Sequence, residues 1–452
     1  PPPPPPARAR PGPDCPGDDM ADAALDPHAA IATTASGVGS GTLTTADGMP
    51  LARALAHSQR RARRRAFLLV LPLLAFILIT FVVPIGQMLA RSFHNDGFSA
   101  NMPQVSAWFA STEPGTAPDE AAWTALAQDL IASADARSIG VVGTRINYDM
   151  PGTRSLFTAT GRQVRRGLEP PYQQALLEIN EDWGDPRLWS VMRSASTPVT
   201  ANFYLAAVDR TRDEAGNIQQ VAEQQRIYLT LFWRTFWLSA VITGLTFILG
   251  FPIAHLLATL PMRKSNLLMI LVLLPFWTSL LVRTTSWMVL LQQQGVVNDI
   301  LVWLGVIGGG QRLQMIYNQT GTIIAMTHIL LPFMILPLYS VMRTINPAYV
   351  RAARSLGATS WTAFRRVYFP QTLPGLGAGA MLVFILAVGY YITPALVGGS
   401  SGQLISNMIA QHMTGTLNWS MAAALAALLL GSVLILYWLY DRLVGVDNLK
   451  LG

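Results

Sequence analysis

From Ala66 to Leu89 the chain runs for 24 residues without one charged side chain. A helix rises ~1.5 Å per residue, so this run crosses a hydrocarbon core of about 30 Å, where only helices and closed barrels satisfy their own backbone polar groups. Comparable apolar stretches follow at Phe232–Leu260, Leu267–Leu291, Thr322–Met342, Gly375–Val397 and Met421–Tyr440. Six such runs predict six spans and an all-α membrane protein. Composition points the same way: 51% of residues are hydrophobic and only 13% charged, where soluble domains carry about 25% charge. The polar surface left over is too small to wrap a water-facing globule.

Basic residues gather at the ends of these runs and set their direction. Arg60, Arg61, Arg63, Arg64 and Arg65 precede the first, Arg263 and Lys264 separate the second from the third, and Arg343, Arg351, Arg354, Arg365 and Arg366 separate the fourth from the fifth. The opposite short loops carry only Asp299 and Arg312, and Gly398–Ser420 carries no charge. The positive-inside bias therefore places the N-terminus in the cytoplasm, and six spans bring the C-terminus, with Arg442 and Lys450, back to that side. Cations held at helix ends, away from any soluble face with aromatic platforms, give no support to a nucleic-acid partner despite the net charge of +7.

Residues 1–59 open with six prolines and lack apolar periodicity, the composition of a disordered cytoplasmic tail. Since the chain opens on Pro1, Met20 is the expected native start. Residues 60–91 form the first transmembrane helix with its basic flank; the run is too long for a signal-peptide core and lacks a small-residue cleavage pattern, so it stays uncleaved. Cys15 is the only cysteine, which excludes an intrachain disulfide and thiolate metal sites.

Residues 92–226 hold 16 of the 25 acidic residues against 11 arginines, a net of −5. Long segments translocate regardless of charge, so this stretch reads as an extracytoplasmic insert domain between spans one and two. Pro118 and two acids open a helix over Asp119–Ala132, with Ala122, Leu126 and Leu130 at helical spacing. Pro151–Gly152, Pro170–Pro171 and Gly184–Asp185–Pro186 punctuate the rest. Residues 227–452 then form a five-helix core with a cytoplasmic loop at 344–374, and no internal repeat is visible.

That loop is the most informative stretch. Asn346 suits an N-cap, Pro347 the first helical position, and Gly357 the left-handed stop of a short helix. Thr359 or Ser360 caps a second short helix through Val367, and Pro370 and Pro374 close the loop before span five. Two capped helices joined at a glycine suit a rigid body that passes force to a partner; the same residues equally suit a plain basic loop obeying charge topology.

The loop resembles the EAA loop of binding-protein-dependent ABC transporter permeases, in which Glu-Ala-Ala is followed after three residues by Gly and later by Leu-Pro. Ala352, Ala353, Gly357, Leu373 and Pro374 fit that pattern, and Arg351 stands where the family has glutamate. The resemblance implies coupling helices seated in a cleft of an ATPase subunit, here a segment that includes Arg351, Ala352, Ala353, Gly357, Phe364, Leu373 and Pro374. The strings Pro275–Thr284, Leu330–Met334 and Ile392–Gly399 are similar to the spermidine/putrescine permease group, whose relatives also move opine-like solutes. Covering about half the chain, the resemblance implies six transmembrane helices of the type I ABC importer permease kind in a bacterial inner membrane. It implies a transport subunit and no enzyme, with polyamine cargo or, alternatively, an opine or amino-acid-like solute. Its partners would be ABC ATPase subunits, a second permease that is identical or different, an extracytoplasmic solute-binding protein and the bilayer. The family members recognised usually have a shorter loop where this chain carries its insert.

No cofactor is expected on this chain, and ATP and Mg belong to the partner subunits. A phosphate-binding loop needs Gly-Lys-Ser/Thr, and neither Lys264 nor Lys450, the only lysines, follows glycine. No His-Glu-x-x-His zinc pattern occurs.

Candidate pathway or gate residues are Arg283, Trp287, Asp299, Tyr390, Tyr391, Thr393 and Pro394. An ionisable group in a span marks a functional site or snorkels and ties helices; a guanidinium would repel polycations, which favours the second reading for Arg283. Aromatic faces attract ammonium groups, but Trp and Tyr also collect at membrane interfaces. Asp299 is the only acid between Ile227 and Tyr440, so selectivity for a cation lies mainly off this chain or on its aromatics. Thr393–Pro394 and Gly398–Gly399 loosen the end of span five, a place for a gate where backbone lines a cavity. His255 and His328 are expected as neutral packing residues. Without paired intramembrane carboxylates, a proton-coupled secondary transporter lacks parts, and nothing favours a channel.

Overall fold

The computed structural model describes residues 51–213 and 217–444. The tail up to residue 50, with Cys15 and Met20, and Lys450 lie outside them. The chain divides into two compact units, residues 1–82 and 83–452. In the first, α1 (Leu51–Ile77) carries the arginine cluster into the apolar run and ends in a π turn, Leu78–Val82. The helix thus begins at Leu51, and the last nine residues of the expected 1–59 tail are helical. Phe67, Leu69, Phe76, Ile79 and Phe81 are exposed, as a lipid-facing surface requires.

The second unit opens with α2 (Val83–Arg91), which ends the first span, Ala62–Arg91. Eight α-helices then build the insert between Asp96 and Ala207, followed by a hairpin of β1 (Arg210–Arg212) and β2 (Ile218–Gln220). Its longest helix, α3 (Glu120–Asp135), is capped by Asp119, whose carboxylate accepts the Ala122 N–H at 2.9 Å. Trp123, Leu126 and Leu130 of α3 meet Phe98, Phe157, Trp183 and Met192 in a closed apolar interior.

The remaining spans are α4 (Tyr228–Thr259), a broken pair α5 (Met262–Leu273) and α6 (Leu280–Leu290), α7 (Gln319–Thr344), a long helix over Ser360–Gly389, and α13 (Trp419–Val444). Among the described residues, five helices, the first included, are long and apolar enough to cross a membrane, and the broken pair, counted as one span, makes a sixth. That pair corrects the straight third span expected over Leu267–Leu291. Pro275 starts a 3-10 turn, Leu274–Trp277, Thr278 and Ser279 are extended, and the two pieces meet at 93°.

Between α7 and the long helix lies α8 (Pro347–Ser355); the long helix comprises α9 (Ser360–Ala363), a π turn over Phe364–Tyr368, and α10 (Phe369–Gly389). This corrects two expectations. The second short helix does not stop at Val367 but runs on into span five, and span five ends at Gly389, with Val397 in a separate helix, α11 (Ile392–Val397). A π turn accommodates Pro370, while Pro252, Pro332 and Pro337 are carried within their α-helices without one. A proline ring collides with the carbonyl four residues back, and that residue, Arg366, sits in the middle of the widened turn, where Phe369 N–H donates to Phe364 O. The first span repeats the device, with Pro84 two residues beyond Leu78–Val82.

Spans α4, α7 and α10 form the centre of the core. Met334 of α7 is fully buried there, and Cβ atoms added at Gly250 of α4 and Gly379 of α10 would lie 3.1 and 2.9 Å from its side chain. Small residues let helices close where lipid supplies no hydrophobic drive.

Candidate functional site

Between α7 and the long helix, Asn346 Oδ1 accepts the Ala348 N–H at 2.9 Å and starts α8. Gly357, at φ +86°, ends it: Gly357 N–H reaches Arg354 O at 3.0 Å and Ala358 N–H reaches Ala353 O at 3.1 Å, the double bond of a Schellman stop. Thr359 Oγ1 then accepts the Thr362 N–H at 3.2 Å and starts α9. The result is a hydrogen-bonded elbow. Phe364 stacks on Trp361 (5.7 Å) and meets Phe251 of α4 edge-on (6.0 Å, 89°). A 2.9 Å hydrogen bond joins His255 of α4 to Tyr368, and Arg343 Nη1 donates to Ala258 O at 2.8 Å, capping the end of α4. These contacts tie the elbow to spans two and five.

Of the loop residues singled out in the sequence, Arg351, Ala352 and Gly357 are exposed, Ala353 is half-buried, Phe364 anchors the elbow, and Leu373 and Pro374 lie within the long helix.

The pathway candidates separate into four places. On α6, Trp287 Nε1 donates to His328 Nδ1 of α7 at 3.1 Å, and the neighbouring Arg283 leaves its buried Nε without a partner. Thr393 and Pro394 of α11 are buried; Thr393 shares a 3.1 Å hydrogen bond with Thr284 of α6, bridging the broken third span to the broken fifth. The break at Tyr390–Tyr391 frees two carbonyls, which accept from Ser406 Oγ (2.6 Å) and Asn407 Nδ2 (2.8 Å) of α12 (Ile405–Thr414). Asp299 stands apart, paired with Arg312 at 2.8 Å. Sequence reading missed Thr284, Ser406 and Asn407, because single hydroxyl and amide residues in apolar runs carry no spacing signal. The spacing Gly-x-Ser-x-Gly does occur at Gly398–Gly402, but helices flank it and no strand precedes it, so it forms no nucleophile elbow.

Opposite the elbow, the insert is joined to the spans. Buried Asp209, itself at φ +55°, accepts the N–H groups of Ile227, Tyr228 and Leu229 at 3.1, 3.0 and 2.8 Å, satisfying the orphan donors at the start of α4. Tyr148 OH donates to Thr416 O at 3.1 Å and Ser420 Oγ to His94 O at 3.2 Å. Phe203 and Ala207 pack with Leu231, Ile405, Met421 and Leu425. Asp209 was not singled out in the sequence.

Apolar spans broken around a polar junction, a rigid elbow at one end and a joined soluble domain at the other define a membrane transport subunit. Residues 227–444 match the family described as "Binding-protein-dependent transport system inner membrane component". The chain is 32% identical over 245 residues to the spermidine/putrescine transport system permease protein PotB of Escherichia coli (strain K12), covering 52% of this chain and 88% of that one. The Salmonella typhimurium (strain SL1344) PotB gives the same identity over 85% of its length. The inner membrane ABC transporter permease protein YdcU of Escherichia coli (strain K12) is 33% identical over 203 residues, 42% of this chain and 64% of that one. Among solved structures, a bacterial ABC transporter involved in the import of the acidic polysaccharide alginate aligns with a TM-score of 0.37 at 22% identity, covering 49% of this chain and 80% of that one. The chain belongs to the binding-protein-dependent transport permease family and is a multi-pass inner-membrane permease subunit, not an enzyme.

Proposed function

We propose that this permease imports polyamines of the spermidine/putrescine class, together with a second permease, two ATPase subunits that hold ATP and Mg, and an extracytoplasmic solute-binding protein. The observation that carries the cargo is the 32% identity to PotB across 88% of its length. The arginine distribution supports a cytoplasmic N-terminus, with the elbow at 344–374 on the ATPase side and the insert outside. The elbow residues from Arg351 to Pro374 carry the ATPase stroke into spans two and five. The junction of Arg283, Trp287, Thr393, Pro394 and the Tyr390–Tyr391 break is the gate, and the insert offers the docking surface for the binding protein. With one acid between Ile227 and Tyr440, already paired to Arg312, cargo selection rests chiefly on the binding protein and on aromatic faces.

The test is uptake of labelled spermidine into vesicles holding all four components. Uptake that needs ATP and binding protein, and that putrescine competes away, is the expected result. Competition by an opine or amino-acid-like solute where neither polyamine competes overturns the cargo; uptake with no ATPase chain present overturns the importer.

A further inference from the structure

The short helix Val296–Trp303, between α6 and α7, carries apolar side chains on two opposite faces. The inner face is fixed. Val297 and Leu301 pack with Leu291, Met315 and Ile316. Buried Asn298 donates to Gln292 O at 3.1 Å and to Leu313 O at 2.9 Å, and accepts the Leu313 N–H at 2.9 Å. With that amide bonded from both sides, the helix cannot roll to hide its other face. That face is bare. Val296, Ile300 and Leu304 are exposed and Trp303 is 83% exposed, although the insert is in place. At ~100° per residue, these four share an arc of about 100°.

The level of the helix is set by the spans beside it. A Cβ added at Gly295 would lie 2.6 Å from Leu290 O and 2.7 Å from Val289 O, so the helix starts pressed against the last turn of α6. The carbonyls that Asn298 holds belong to the chain just leaving α6 and just approaching α7. The helix therefore lies at the rim of both spans, at their ends away from the elbow. Exposed Val289 on the last turn of α6 continues the bare face into the exposed Leu281 and Val282 of the same span. At such a rim the neighbouring medium is the boundary between lipid headgroups and acyl chains. Tryptophan suits that boundary, because its ring is apolar and its N–H edge polar. The Asp299–Arg312 pair, at the edge of the face, supplies the charged groups that remain at the wet side.

We propose that Val296–Trp303 is an interfacial anchor. Its bare face lies in the headgroup–acyl boundary of the leaflet opposite the elbow, as an amphipathic helix does on a bilayer. Because the inner face is packed to the end of α6 and the beginning of α7, the anchor fixes the depth of the outer piece of the broken third span. It belongs to the membrane spans and holds whatever the cargo.

The test uses the full-length chain with Cys15→Ser, paired with its second permease in lipid discs, and a nitroxide on Ile300→Cys or Trp303→Cys. Collisions with oxygen, which enters lipid, are compared with collisions with a neutral nickel chelate, which stays in water. Leu69→Cys, on the exposed first span, is the lipid reference, and Gly309→Cys, in the exposed loop, the water reference. The oxygen-to-nickel ratio at 300 and 303 is expected to exceed that at 309 about threefold or more, with the labels ~5–10 Å into the boundary. A ratio equal to that at 309 puts the face in water and overturns the anchor. Protection from both reagents puts the second permease over the face and overturns it as well. Two positions are used so that either one decides if the other variant does not assemble.

Discussion

In the insert, Trp123, Trp183, Phe98 and Phe157 fill the interior, their rings meeting edge-on at about 5 Å where Phe157 abuts Trp183 and Trp123 abuts Trp189. In the spans the tightest contacts are made by absent side chains: Gly250, Gly375 and Gly379 let backbones approach until an added Cβ would collide with Met334 or Val341. Water explains the difference. The insert folds by removing large apolar surfaces from water, so it uses aromatics. The spans leave one apolar phase for another, so they gain by close packing and by bonding hydroxyl and amide groups.

The largest expected effect removes an aromatic from the insert. Trp183 is fully buried, its Nε1 donates to Thr160 Oγ1 at 3.0 Å, and its carbonyl accepts from Trp189 Nε1 at 2.8 Å. Trp183→Ala empties that site and costs the insert about 3–5 kcal/mol. Limited proteolysis in lipid discs should then cut within 92–226 while the spans remain protected. Protection of both regions to the same degree as the parent would break the comparison, because the insert would owe its order to the spans.

A smaller effect distinguishes the regions by pH. Asp129 in α3 is buried, accepts the Val105 N–H at 2.8 Å, and has its carboxyl pushed from 3.8 to about 6, chiefly by burial and against the backbone bonds that favour the anion. Because the folded value is raised, the contribution of Asp129 is full below pH 3.8, falls between 3.8 and about 6, and is flat above. Asp129→Asn should remove that slope and stabilise the insert by about 1–3 kcal/mol at pH 7. Hydrogen exchange of insert amides, corrected for intrinsic rates, reads the change. A parent insert as well protected at pH 7 as at pH 4 would sink the assignment.

The same contrast decides what could be read from sequence. Long charge-poor runs and the arginines at their ends speak for themselves, and the residues at the elbow's turns, Asn346, Gly357 and Thr359, each announce a cap or stop by type. The bends were not legible, because Pro275 sits at a break while Pro252, Pro332, Pro337 and Pro370 lie within continuous helices, so residue type alone does not report which proline bends the chain. The polar junction was hidden for a related reason. Thr284, Thr393 and Asn407 lie on different helices, and their pairing depends on breaks that periodicity does not report. Asp209 likewise reads as one more acid in an acidic insert until the start of α4 is seen resting on it.

The smallest effect is expected at Asp299, the one acid between Ile227 and Tyr440. Its partner Arg312 also donates to Gln293 O at 3.0 Å, so the pair fastens the loop between α6 and α7. Both side chains are substantially exposed, 57% for Asp299 and 30% for Arg312, and an exposed pair of this kind contributes about 0–1 kcal/mol. A double-mutant cycle of Asp299→Asn and Arg312→Gln should give a coupling inside that range that shrinks with salt, and each variant should keep polyamine uptake within about twofold of the parent. The two readouts separate a loop fastening from a cargo contact. A carboxylate that meets an ammonium group on the route would lose uptake tenfold or more on neutralisation with stability unmoved. That result would place cargo selection on this chain, and the scarcity of acids between Ile227 and Tyr440 would then mark the one position that performs it.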